Sequence, residues 1–253
     1  MISIVILGTG NVAKHLFDVI KTLNTFELIQ VYGRNKNKLD YFNQEVSTTS
    51  ELSTIKEAHL YIMAISDDAI AQVSNALHIK KGLVVHTAGS KSIKVINKNS
   101  RGVFYPLQSF SKEREVDFKE VPICIEAQNE PDLELLNQLA SALSNRVVKI
   151  DSKQRRTLHL AAVFANNFTN HIYHRAEEIC NQGGVSFDLL KPLIKETAEK
   201  VDDLSPFEAQ TGPARRNDIK TILKQKKQLK TKNPKKIYSL LSKSIRKTYG
   251  KKL

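Results

Sequence analysis

"MISIVILGTGNVAKHLFDVI", residues 1–20, decides how this chain is read. Ile2 to Leu7 is an apolar run of strand length. Gly8-Thr9-Gly10 interrupts it, and from Asn11 the apolar residues recur at helical spacing. Where a strand, a turn and a helix bind a dinucleotide, the first glycine permits the tight turn and the second lets the backbone approach the pyrophosphate. The third position is small so that helix and sheet pack closely. Those places fall on Gly8, Gly10 and Ala13. The backbone N–H groups from Asn11 and Val12 would face the phosphates, with the positive end of the helix dipole behind them. An ordinary glycine turn is the plain alternative, but its place at the head of a strand-helix-strand pattern favours the dinucleotide.

The end of the second predicted strand, Phe26 to Tyr32, bears on which dinucleotide. An NAD site wants an acid there for the ribose hydroxyls. The sequence instead reads Gly33-Arg34-Asn35-Lys36-Asn37-Lys38. A carboxylate would repel a 2′-phosphate, whereas Arg34 can pair with it through two N–H groups and Lys36 or Lys38 can add charge. NADP is therefore the expected cofactor, against the alternative of a solvated basic loop opening a helix.

Further strands are expected at Leu60 to Ile65, Leu83 to His86, Val103 to Tyr105, Pro122 to Ala127 and Val147 to Ile150, with a helix over "PDLELLNQLASALS" between the last two. This alternation is that of an α/β, doubly wound and mostly parallel sheet. Three strand ends are small or polar: Ser66-Asp67-Asp68, Thr87-Ala88-Gly89-Ser90 and Pro106-Leu107-Gln108-Ser109. In an open parallel sheet such ends line the ligand crevice. Ile65, Ser66, Asp67, Thr87 and Gly89 are expected on the cofactor side, and Ser90, Gln108 and Ser109 on the substrate side.

After Asp151 the strand signal stops. "SKQRRTLHLAAVFANNFTNHIYHRAEEICNQGG" reads as one long helix ended by Gly183-Gly184, and "SFDLLKPLIKETAEKVDDL" as a second running to Pro206. Two further helical segments are separated by Asn233-Pro234. The expected organisation is a nucleotide-binding domain over 1–150 and a helical substrate and dimerisation domain over 151–253.

On the long helix, at 100° per residue, His159, Asn166 and Asn170 fall within about 40° of one another, while Leu158, Leu160, Ala161, Phe164, Ala165 and Phe168 cover most other directions. A helix apolar nearly all round is expected to be buried, and its polar stripe to need partners. Those partners are either neighbouring side chains, in a seam between helices or across a dimer, or a ligand. In the second case His159 gives a proton and the asparagines, Asn167 among them, orient the substrate. His86, at a strand end, is the other candidate proton donor, since an imidazole near neutrality exchanges protons readily. His171 and His174 read as surface residues. In "QTGPARRND", Thr211 and Arg215 or Arg216 could bind an anionic substrate while Gly212-Pro213 fixes the turn, or Asp218 and the arginines could cap the next helix.

Composition bounds the rest. No window reaches the roughly 18 to 20 apolar residues of a membrane span, and the apolar start lacks the basic lead-in of a secretory signal, so the cytoplasm is the expected location. The two cysteines, Cys124 and Cys180, carry no metal-ligand spacing and read as core residues. No metal is expected. The net charge of +13 suggests nucleic acid until it is located: from Pro213 onward 15 Lys and Arg face the single acid Asp218. The basicity belongs to the tail, and Tyr238 and Tyr249 do not interleave it with base-stacking aromatics, so nucleic acid is disfavoured.

The set "ILGTGNVA", "AISDDAI", "VVHTAGS", "FYPLQSF", "HLAAVFANNFTN" and "AQTGPARRND", in this order, resembles bacterial Rossmann-like proteins grouped with NADP oxidoreductases, which carry a helical C-terminal domain of unknown function. More distantly the chain is similar to pyrroline-5-carboxylate reductase, ketopantoate reductase and the β-hydroxyacid dehydrogenases, and its helical part to the C-terminal domain of 6-phosphogluconate dehydrogenase. The resemblance implies NADPH on the first domain, a small carbonyl or imine substrate over the nicotinamide, and a homodimer through the helical domain. One departure stands out: aligning the dehydrogenases' asparagine pair with Asn166-Asn167 puts Val163 where their catalytic lysine stands. His159 or His86 would have to replace it. A non-catalytic NADP-binding regulatory protein, or a nucleic-acid-associated protein acting through the tail, are the alternatives.

Overall fold

A computed structural model describes residues 1–250. Strand β1 (Ile2–Leu7) passes through the glycine turn into α1 (Asn11–Ile20), and β2 (Phe26–Tyr32) returns beside it. A short β3 (Ser47–Thr49), β4 (Leu60–Met63), α2 (Ile70–Ala76), β5 (Leu83–His86) and β6 (Arg101–Pro106) follow, then β7 (Ile123–Ala127), α3 (Glu130–Leu143) and β8 (Val147–Lys149). The eight strands form one sheet in the order β3-β2-β1-β4-β5-β6-β7-β8. All neighbours are parallel except β6 and β7, which pair antiparallel from Gly102 opposite Ala127 to Pro106 opposite Ile123. The expected α/β architecture is thus observed, with Ser47–Thr49 as an addition. Three residues of Ser and Thr give no apolar run from which a strand could be read.

Alternation along β1 explains why both faces of the sheet are covered. Ile4 and Ile6 pack with Leu16, Phe17 and Ile20 of α1 and Leu136 and Leu139 of α3, whereas Val5 and Leu7 pack with Tyr61, Met63, Ile70 and Leu77. Strands buried on two faces read as continuous apolar runs. Helix α3 starts where Pro131 lies in its first turn and Asn129 accepts from the Asp132 N–H.

Past β8 the chain is helical: α4 (Ser152–Ala162), a π-helical segment (Val163–Phe168), α5 (Thr169–Gln182), α6 (Lys191–Asp203), the single turn α7 (Pro206–Ala209), α8 (Ile219–Gln228) and α9 (Lys232–Tyr249). Asn233-Pro234 does not separate α8 from α9 as expected. It lies in the first turn of α9, where proline's missing N–H costs nothing. The change from strand to helix falls at residue 150, but the compact units part later, as Met1–Asn166 and the chain from Asn167 on.

Two expectations about burial are corrected. The helix holding the polar stripe is largely exposed: Leu160, Phe164 and Phe168 are 60, 64 and 52% accessible, and Asn166, Asn167 and Asn170 are exposed as well. Cys124 is buried but Cys180 only half-buried. From Asn167 on, the only buried side chains among the described residues are Ala214 and Ile222. No helix among the described residues is long and apolar enough to cross a membrane.

Candidate functional site

Parallel strands bring the carboxyl ends of β1, β4, β5 and β6 to one edge of the sheet, and with them Gly8–Gly10, Ile65–Asp67, Thr87–Ser90 and Leu107–Ser109. Gly8 has φ +135°, and a Cβ there would overlap the carbonyl oxygen of Ala64, the residue after β4. Glycine is required by conformation and by contact together. Gly10 differs: nothing lies within 4 Å of a Cβ built on it. It is the N-cap of α1, it offers no side-chain cap, and the first turn holds no acid. The start of a ten-residue helix is thus left as a positive end facing open space, which suits a pyrophosphate.

Gly33, after β2, is buried against the glycine turn, because a Cβ would strike the methyl of Thr9. Arg34, Asn35, Lys36 and Lys38 then emerge exposed. Asn35 is tied down, its side chain accepting from the Asn37 N–H at 3.0 Å. No ion pair holds Arg34, Lys36 or Lys38 among the described residues, so their charge is uncommitted.

Other expected site residues have partners within the chain. The side chain of Asn11 donates to the Phe110 carbonyl (2.9 Å), and His15 Nε2 meets the Ser111 carbonyl (2.9 Å) while its ring lies against Phe110. The segment after β6, exposed at Gln108 and Ser109, is thereby fastened to α1. Ser90 donates to the Asp67 carboxylate, and Lys91 pairs with Asp68 at 3.1 Å, joining the loops after β4 and β5.

His86 is corrected as a proton donor. It is fully buried; Nδ1 accepts from the Ala88 N–H (3.1 Å), and Nε2 faces the Ser92 carbonyl (3.3 Å). Burial, aided by the nearby Arg155 guanidinium, pushes its pKa down to about 4. At neutral pH it is an uncharged ring with both nitrogens engaged.

His159 lies elsewhere than in a seam of asparagines. Its Nδ1 is 3.0 Å from the hydroxyl of Tyr105 on β6, and the two rings meet edge to face with centroids 5.9 Å apart. Both touch Gly89, where a Cβ would come within 2.5 Å of Nδ1 and 2.9 Å of Tyr105 Cζ. Gly89 makes room for this pair. Burial holds the Tyr105 phenol up at about 12. The motif "FYPLQSF" contained Tyr105, but an aromatic at a strand end reads as core, and nothing in the sequence pairs it with a histidine 54 residues on.

Helix α4 is positioned by Arg155, one turn before His159. Arg155 donates to Glu126 of β7, to the Lys91 carbonyl and to Ser152 Oγ, and Ser152 in turn donates to Glu126 (2.9 Å) and accepts from the Ile93 N–H (2.9 Å). Leu158 packs on Val103, Tyr105 and Cys124. Beyond Ala162 the π-helical segment takes wider turns, so the 100° spacing that aligned His159 with Asn166 and Asn170 does not hold across it.

In the second unit, "QTGPARRND" is held by its own contacts. Gly212 has φ +99°, Arg215 donates to the carbonyls of Glu208 (2.9 Å) and Gln210, Asn217 accepts from Arg246 (2.7 Å), and Asp218 caps α8 at the Thr221 N–H (3.0 Å). Thr211 and Arg216 remain exposed.

Comparison with known proteins places this arrangement. Residues 121–245 match the domain of unknown function DUF2520. A crystal structure of a Bacteroides fragilis protein, provisionally assigned as an NADP oxidoreductase, shares 42% identity over 97% of this chain and 98% of that one, with a TM-score of 0.90. A Thermotoga maritima protein shares 19% over 98% and 99%, TM-score 0.81, and a 1-pyrroline-5-carboxylate reductase from Streptococcus pyogenes 14% over 99% and 97%, TM-score 0.66; these two share the fold. No curated protein matches. At 42% identity over nearly the whole of both chains, the protein belongs to the family of the Bacteroides fragilis protein, Rossmann-like proteins of NADP oxidoreductase type, and its DUF2520 match takes in β7, α3 and β8 together with the helices that follow.

Proposed function

We propose that this chain is an NADP-dependent reductase of a small carbonyl or imine compound. The observation that carries the reading is the open space above Gly10 at the uncapped N-terminus of α1, where the backbone N–H groups of Asn11 and Val12 would hold a pyrophosphate. Arg34, with Lys36 beside it, would take the 2′-phosphate, and no acid stands there to favour NAD. The provisional assignment of the Bacteroides fragilis relative supports this cofactor, and the Streptococcus pyogenes enzyme, a reductase of a cyclic imine, supports the substrate class.

NADPH supplies the hydride when bound. The chain's own part is to orient the substrate and supply a proton to the oxygen or nitrogen of the reduced double bond. His159 is the group for this, on the same sheet edge as the glycine turn and with a half-exposed ring. Gln108 and Ser109, exposed on that edge, are the nearest candidates to contact substrate.

The same reading takes the working form as a cytoplasmic homodimer joined through the helical region. Leu189, Leu193, Val201 and Leu240 are more than half exposed in a unit where few side chains among the described residues are buried, and a second copy would cover them. Sedimentation velocity should give twice the 28.5 kDa chain mass.

The test of function is NADPH fluorescence titration followed by NADPH oxidation with a panel of keto acids, aldehydes and cyclic imines. Saturable binding with turnover of one class supports the proposal. Binding without turnover on any compound would favour a regulatory protein, and no binding at millimolar NADPH would remove the reading.

A further inference from the structure

The bond between Tyr105 and His159 has a direction that chemistry decides. A phenol O–H is a stronger donor than an imidazole N–H, and a bare imidazole nitrogen is a stronger acceptor than a phenol oxygen, whose lone pair is shared with its ring. Tyr105 is 9% exposed, and burial keeps its proton on across the physiological range. The hydroxyl therefore donates to Nδ1 across the 3.0 Å between them. A neutral imidazole carries one proton, so the proton of His159 must sit on Nε2, for which no partner is found among the described residues.

The surroundings hold this geometry rather than tolerate it. Gly89 is buried against both rings, and any side chain there would push His159 off the hydroxyl. Leu158 packs on Tyr105 one residue before the histidine, and the buried Arg155 anchors the helix one turn below.

We propose that Tyr105 is a positioning residue that fixes His159 as its Nε2–H tautomer and so presents that N–H to the carbonyl oxygen or imine nitrogen of the substrate. The inference rests on the reductase reading for its substrate and on geometry for its tautomer. The proton balance follows: the Nε2–H bond breaks as the new O–H or N–H bond of the product forms, and the Tyr105 proton passes to Nδ1. The imidazole stays neutral, and the starting state returns when Nε2 takes a proton from water and the Nδ1 proton goes back across the 3.0 Å contact to the phenolate. A phenol held near 12 remains a stronger acid than an alcohol or amine, so the transfer runs downhill.

The experiment is a long-range ¹⁵N–¹H spectrum of the histidine side chains in the full chain at a pH where His159 is neutral, with His159→Gln used to assign its signals. The wild type should show Nδ1 bare and Nε2 protonated. Tyr105→Phe should convert this to a mixture of tautomers and, where a substrate has been found, lower turnover at least tenfold with the KM for NADPH unchanged. Gly89→Ala provides a second route to the same spectral change if the phenylalanine variant folds poorly. A wild type protonated on Nδ1, or a folded Tyr105→Phe with unmoved His159 shifts, would overturn the proposal. A protein inactive on every compound would remove the reductase reading, while the spectrum would still decide the tautomer.

Discussion

Arg155 on α4 donates to Glu126 on β7, and both are shut away from water: the arginine side chain is 1% accessible and the glutamate 15%. Removing one partner of such a pair leaves a buried charge without compensation. Arg155→Ala should therefore cost about 3 to 5 kcal/mol. Arg155→Leu combined with Glu126→Leu should recover much of that loss, because two apolar side chains need no pairing. Urea melts of the two variants beside the wild type check this; equal losses for the single and the double variant would refute it.

The two glycines of the turn should fail differently. Gly8→Ala forces a left-handed backbone and a collision with the Ala64 carbonyl, so it should cost more than the roughly 1 to 2 kcal/mol of the conformation alone. Gly10→Ala meets open space and should cost at most about 1 kcal/mol, as a helix N-cap change does. Its methyl group would nevertheless occupy the room left for a pyrophosphate, so NADPH binding should weaken in a protein that still melts near the wild-type midpoint. Paired melts and fluorescence titrations separate the two.

Among the described residues Arg34 has no ion-pair partner to lose, so its replacement should leave stability within about 0.5 kcal/mol. Arg34→Ala should cost about 1 to 3 kcal/mol of NADPH affinity, the scale of a charge-assisted contact, and barely change that for NADH. Equal losses for both cofactors would reject the 2′-phosphate assignment.

His86 gives a pH dependence whose sign is set by burial. The unfolded histidine takes up a proton near 6.5, the folded one only near 4. Its contribution is complete above about pH 6.5, is lost as pH falls from there towards 4, and falls no further below. The full span is about 3 kcal/mol. Urea melts from pH 7.5 to 3.5 should show a steeper loss in the wild type than in His86→Leu, whatever the absolute stability of the variant; parallel curves would show that His86 is not buried neutral.

The fold was legible because its signals are local. Apolar runs, the glycine turn and the cap at Asp218 each act within a few residues. Much of the candidate site was not, because it is made by contacts across the sheet. His159 was visible as a histidine on a helix, but its partner Tyr105 is brought to it by the order of β5, β6 and β7. His86 read as a strand-end histidine, and only packing shows its two nitrogens occupied. The expected burial of the helix from Leu158 to Asn170 failed for a further reason: apolar periodicity reports that a face wants covering, not whether the same chain covers it.

The reversal of β7 carries a consequence for which parts of the chain can change in length. Because β7 and β8 run against β6, the chain leaves β8 at the sheet edge opposite the glycine turn, and α4 climbs from there, meeting Glu126 at Arg155 and Tyr105 at His159. A parallel β7 would start the helix at the glycine edge and send it away. Arg155 and His159 are four residues apart, about 6 Å of helical rise, and one residue inserted or deleted between them would swing the imidazole by about 100°. Residues 155–159 thus work as a ruler of fixed length, while the exposed stretch from Lys112 to Glu115, outside any helix or strand, can gain or lose residues without disturbing it.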